Sequence, residues 1–178
     1  MIHTFRIFVF IAILSFGFLG CSATQETSSS QKNKTQTSDL PTWYQDMSFQ
    51  ADSIFFIGYG EAIASDSLTA ISNAELQAQV NLESGISEIV EETRGRLSEN
   101  GHEAVNEPEF LIMLRNASQA IQDAGSTNKK VATEKNGYYK GFVSVNISKA
   151  EAKKVISSGF ADNQGYLEIL NSSSLFEE

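Results

Sequence analysis

From about Asp66 to Ser98, small and apolar side chains recur at steps of three and four: Leu68, Ile71, Ala74, Ala78, Leu82, Ile86, Ile89, Thr93 and Leu97. That spacing puts them on one face of a single long helix. Such a helix has to bury its stripe along its whole length, which calls for a second layer of structure beneath it. Ser65-Asp66 offers an N-cap, and Asn100-Gly101 a stop. Gly85 is a candidate bend. Glu83, Glu88, Glu91 and Arg94 fall mostly off the stripe, while Glu75 and Gln79 lie close to it. Glu88, Glu91 and Glu92 have the look of a carboxylate site, but a solvated helix face accounts for them.

The remaining elements are shorter. Ser53 to Tyr59 is a β-rich run closed by Gly58-Tyr59-Gly60, which reads as a tight strand-to-helix turn. A dinucleotide loop would need a third glycine, and Glu61-Ala62-Ile63 follows instead. Asn106 with Glu109 reads as a capping box around Pro108, opening a helix that runs to Ala124 before Gly125. Its apolar stripe is Phe110, Met113, Leu114, Ala117, Ile121 and Ala124. Lys129 to Glu134, Asn136-Gly137 and Tyr138 to Ile147 form a β-hairpin pattern, since both turn residues tolerate positive φ. In its second strand Tyr139, Val143, Val145 and Ile147 point one way, and Lys140, Phe142, Ser144 and Asn146 the other. Ser148 with Glu151 caps a last short helix through Ile156. The expected fold is α+β, with helices packed on a small three-stranded antiparallel sheet in the order β-α-α-β-β-α.

Before the domain stands an uncharged apolar run, Ile7 to Leu19, preceded by Arg6 and followed by Gly20 and Cys21. It is shorter than the about 20 residues that a spanning helix needs. It fits the apolar region of a secretory signal. Phe18-Leu19-Gly20-Cys21 reads as a lipobox, with cleavage between Gly20 and Cys21 and acyl chains such as palmitate on the Cys21 thiol. Cys21 is the only cysteine, which excludes an intrachain disulfide. The expected organisation is a signal peptide over 1–20, a lipidated cysteine and flexible tether over 21–40, an α+β domain over 41–160, and a weakly structured tail over 161–178, in which Tyr166 to Leu170 reads as a final docked segment. Residues 22 to 40 hold too little apolar surface to offset the entropy of ordering them.

Charge narrows the partners. The chain carries 22 acidic residues against 13 Lys and Arg, and loss of Arg6 with the leader leaves 22 against 12, a net charge of −10. An acidic domain repels phosphate backbones, so no nucleic acid partner is expected. It also disfavours electrostatic adhesion to anionic headgroups, so membrane attachment rests on the lipid at Cys21. Catalytic groups are sparse. His3 leaves with the leader, and His102 stands alone in a polar loop. His and Cys show no metal-ligand spacing, no nucleophile elbow or phosphate loop is present, and no cofactor is expected. Pro41-Thr42-Trp43-Tyr44 marks the entrance to the domain, where the two aromatics either clamp the chain onto the core or form an exposed partner patch.

Several of these segments resemble the bacterial twenty-kilodalton outer-membrane lipoprotein family (Lpp-twenty), which overlaps in pattern with flagellar outer-membrane lipoproteins. They are Pro41-Thr42-Trp43-Tyr44, Ile57-Gly58-Tyr59-Gly60-Glu61-Ala62, the ladder Ala74, Ala78, Leu82 and Ile86, and Asn136-Gly137-Tyr138-Tyr139 ahead of Gly141-Phe142-Val143-Ser144-Val145. The resemblance implies an α+β fold and a non-enzymatic envelope role through protein contacts. It carries over no catalytic residue. The function expected is that of a lipid-anchored envelope protein, assembling with itself or with an outer-membrane or flagellar complex. The alternative is a cell-wall or small-ligand binding module.

Overall fold

The computed structural model describes residues 40–173 and Leu175. Gly20, Cys21 and the expected leader and tether up to Asp39 lie outside these residues. In chain order the elements are β1 (Phe49–Ala51), β2 (Phe55–Ala64), α1 (Ser67–Glu99), a 3-10 turn (Glu103–Asn106), α2 (Pro108–Ala124), β3 (Ser126–Lys135), β4 (Tyr138–Ser148), α3 (Lys149–Ser158) and α4 (Gln164–Ser172). The strands form one antiparallel sheet in the order β1-β2-β4-β3.

The α+β class is as expected, but the element order is not. A fourth strand precedes the first expected one, because Asp52 folds the chain back: its carboxylate accepts from Ile54 N at 2.7 Å and Phe55 N at 2.6 Å. The resulting β1 is three residues long, too short to show a period. A fourth helix follows the last expected one. Asn163 caps it by accepting from Tyr166 N at 3.2 Å, and Tyr166 and Leu170 are buried. The expected docked segment, Tyr166 to Leu170, is part of this helix, and the tail beyond it, expected to be weakly structured, holds the buried Leu175.

The largest correction concerns Gly58 and Gly60. They do not form a turn. Both lie inside β2, whose extended pairing with β4 continues to Ala64 opposite Tyr139. Their missing side chains let α1 settle directly on the sheet. A Cβ on Gly60 would meet the Ala74 carbonyl and lie 2.5 Å from Ala78 N. One on Gly58 would meet the Ala78 carbonyl and lie 2.7 Å from Leu82 N. On β4, one on Gly141 would meet the Ala70 carbonyl and lie 2.8 Å from Ile71 N. Helix backbone therefore rests on strand backbone, and Ala70, Ala74, Ala78 and Leu82 are fully buried along the seam.

This seam also resets the buried stripe of α1. It runs Ala70, Ala74, Ala78, Leu82, Ile86, Val90, Thr93 and Leu97. Leu68 does not belong to it and is 77% exposed, because the first turn of α1 precedes the first sheet contact at Ala70. Asp66 is the N-cap, accepting from Thr69 N at 2.9 Å. Gly85 does not break the helix. It is buried against the ring of Phe49, where a Cβ would come within 2.6 Å of Cδ1.

Beyond the sheet, α2 packs on α1 and α3. The capping box expected at Asn106 does not form, and Glu107 holds the N-cap position without capping it, its carboxylate accepting instead from Tyr166 OH at 2.6 Å. Asn106 instead ties the 3-10 turn back to α1, accepting from Arg94 Nη1 at 2.8 Å and donating to Ser98 Oγ at 2.7 Å. Phe110 packs against Phe160 (5.0 Å) and Tyr166 (5.3 Å), joining α2 to the C-terminal segment. The Asn136-Gly137 hairpin is as expected, with φ of 55° and 80°. Ser148 caps α3, accepting from Glu151 N at 3.1 Å.

Gly60→Val would place a branched side chain in the helix backbone. It should cost about 3 kcal/mol, at the upper end of ordinary overpacking. Leu82→Ala should cost about 2–5 kcal/mol. Glu91→Ala removes only an exposed pair with Arg94 and should stay within about 0.5 kcal/mol of neutral. Urea denaturation measures all three, and a Gly60→Val protein as stable as the parent would refute the seam.

Candidate functional site

The sheet has two faces, and only one lies under α1. The other carries Tyr59, Glu61 and Ile63 from β2, opposite Ser144, Phe142 and Lys140 of β4. Val131 and Thr133 of β3 extend this face beside Phe142 and Lys140. Alternation along β4 implies a half-solvated surface here, yet Phe142 is fully buried and Tyr59 is 5% exposed. The cover comes from the entrance segment. Tyr44 N donates to Pro41 O at 2.9 Å, closing a turn that lays Tyr44 across the sheet. Its ring meets Phe142 edge-on at 4.9 Å and Tyr59 at 5.8 Å. Trp43 stands 6.0 Å from Tyr44 at 76°. The two aromatics thus divide the roles between them: Tyr44 clamps, while the half-buried Trp43 faces a groove.

That groove, about 750 Å³, runs between Leu40–Trp43 and the hairpin. Val131 lines it with apolar surface, the fully buried Phe142 lies behind it, and Thr133, Glu134, Lys135 and Lys140 give it a polar rim. Lys140 is held in place twice, with Nζ 2.9 Å from Glu61 Oε2 and 5.0 Å above the Phe142 ring. Beneath the cover, Tyr59 OH donates to Gln50 Oε1 at 3.0 Å, and Asn81 on α1 reaches Tyr59 O at 2.7 Å. Ser144, opposite Tyr59, buries Oγ with no hydrogen-bond partner. Burial pushes the Tyr44 phenol up to about 12, with the charges of Glu61 and Asp46 adding to it. Tyr59 is raised by burial first and then by Asp52.

The residues weighed from the sequence fall elsewhere. Cys21 and Gly20 lie outside the described residues. His102 is exposed at the far end of α1, where its backbone N donates to Leu97 O at 3.0 Å. Glu91 and Glu92 pair with Arg94 at 2.7 Å and Arg96 at 3.2 Å on an open helix face, as a solvated surface would. No group of three or more His, Cys, Asp or Glu is placed to hold a metal among the described residues. None of their helices is long and apolar enough to cross a membrane. The groove itself was not legible, because it joins residues nearly a hundred positions apart. Its one sequence signal was a pair of large aromatics at the domain entrance.

Comparison with known proteins returned no matching family model, no matching curated protein and no matching solved structure. The class is therefore defined by the molecule itself: an α+β domain whose four-stranded sheet is backed by one long helix and crossed on its other face by an aromatic entrance segment.

The Tyr44 phenol makes the entrance clamp sensitive to alkali. At pH below the ordinary value of 10.0 it is neutral in folded and unfolded chains alike. Between 10.0 and about 12 the unfolded chain loses the proton first, so the fold loses stability as pH rises. Tyr44→Phe should flatten that slope, measured as denaturation midpoints across this interval. An unchanged slope would place the phenol in solvent.

Proposed function

We propose that this chain is a lipid-anchored, non-enzymatic lipoprotein of the bacterial envelope, related to the Lpp-twenty family and acting through protein contacts. The observation that carries the reading is the uncharged run from Ile7 to Leu19 closed by Gly20 and Cys21. The expected location is the outer membrane, with the polar stretch to Asp39 joining the anchor to the domain. An outer-membrane or flagellar assembly is the complex that the family resemblance suggests.

The groove supports contact as the mode of action. It is open, floored by Val131, flanked by Trp43 and rimmed by lysines, which suits an extended peptide segment. Its volume also favours a second reading, since about 750 Å³ falls within the range of small-ligand sites. A cell-wall fragment or another small molecule is then the occupant.

Two measurements separate these possibilities. Metabolic labelling with a clickable fatty acid should mark the parent protein, and Cys21→Ser should abolish the label. Label retained in the mutant would remove the lipoprotein reading. A photo-crosslinking residue at the exposed Thr133, on the groove rim, should yield a discrete adduct in intact cells with an envelope protein or a second copy of this chain. An adduct confined to cell-wall glycan would favour the second reading.

A further inference from the structure

Large apolar side chains are left in solvent at several places, among them Ile54 and Phe55 at the start of β2 and Ile112 on α2, and three of the most exposed stand at the hairpin-tip end of the domain. Ile63, Leu68 and Tyr138 are 67%, 77% and 60% exposed. Ile63 pairs with Lys140 where β2 ends, and Tyr138 opens β4 just after the Asn136-Gly137 turn. Leu68 lies in the first turn of α1, two residues before Ala70, whose carbonyl meets Gly141 on β4. Leu40 reaches the same end, since it lines the groove with Lys135 and Lys140. Everything N-terminal to Leu40, Cys21 included, therefore joins the domain at its hairpin-tip end.

We propose that this end is a bilayer-contacting surface: Ile63, Leu68 and Tyr138 sit in the interfacial zone of the membrane that holds the lipid on Cys21. The inference rests on the lipoprotein reading and adds an orientation to it. Distances favour this end over the other. A coil the length of the polar stretch from Ser22 to Asp39 reaches about 25 Å. The 33 residues of α1 carry its C-terminal end about 50 Å away from the hairpin tip.

The chemistry is apolar contact, not charge attraction. Lys140 is already paired with Glu61, and Glu134 and Asp66 stand at the same end beside Lys135. An acidic domain with a locally balanced end is not drawn to anionic headgroups. Tyr138 suits the headgroup level, where an amphipathic ring keeps its hydroxyl wet. The anchor lets a weak contact suffice, because tethering makes docking an intramolecular step at millimolar effective concentration.

Tryptophan quenching by bromine-labelled acyl chains tests the orientation in the full lipidated protein. The vesicles are phosphatidylcholine with phosphatidylglycerol. Trp43→Phe removes the only tryptophan. Tyr138→Trp then reports the hairpin tip, and His102→Trp, in a separate protein, reports the far end of α1. Both proteins should float with the vesicles. Tyr138→Trp should lose most of its emission to the brominated lipid, at low and high salt alike, while His102→Trp keeps its emission. Adding Ile63→Ser and Leu68→Ser to the Tyr138→Trp protein should restore the emission without changing flotation or the thermal unfolding curve, since both residues are exposed.

Flotation with equal quenching at the two reporters, or with none at the hairpin tip, would overturn the orientation and leave the anchor standing. So would a blue-shifted Tyr138→Trp emission that ignores the brominated lipid, which would mark the end as a protein contact. Failure of both proteins to float would overturn the anchor, and the orientation with it.

Discussion

Contact between the backbone of α1 and the backbones of β2 and β4 is what the rest of this structure depends on. Glycine at 58, 60 and 141 lets the helix approach until the carbonyls of Ala70, Ala74 and Ala78 fill the space where strand side chains would stand. The alanine ladder and the glycine line are two halves of one device, since larger side chains on either partner would hold the layers apart. Packed interiors respond to a single methylene, so this seam sets the spacing for everything laid over it. Leu82, Ile86 and Val90 extend the contact toward Phe56 and Ile147, and α2, α3 and α4 close the core below.

A helix lying this close on one face of the sheet leaves the other face to a different solution. No second helical layer covers it among the described residues. The cover is a short aromatic segment, with Tyr44 placed between Tyr59 and Phe142. Such a segment shields the middle of the sheet and leaves its hairpin half open. The groove, the paired Lys140 and the exposed Ile63 and Tyr138 all lie in that uncovered half. The surface available for contact is thus what remains of the sheet after α1 takes one face and the entrance segment takes half of the other.

Position along the chain gives this surface its significance. The residue that ends the polar N-terminal stretch is also a wall of the groove, since Leu40 lines it. The acidic side chains of the C-terminal half of α1, among them Glu88, Glu91 and Glu92, face away from the seam.

Local patterns determined much of the fold. The period of α1, the φ > 0 turn at Asn136-Gly137 and the Ser148 cap each depend on residues within a few positions of one another, and each stands as the sequence implies. The hairpin alternation correctly set Val143 and Val145 against Phe142 and Lys140. Other features needed the tertiary structure, because their causes are distant in sequence. Gly58-Tyr59-Gly60 has the composition of a turn, and only a helix pressing on it makes it a strand. Leu68 fits the period of α1, yet its turn precedes the first sheet contact and it stays in water. Asn106 has a capping spacing, but Arg94 and Ser98 compete for its side chain and win. Phe142 is buried only because Tyr44, nearly a hundred residues earlier, folds back across it.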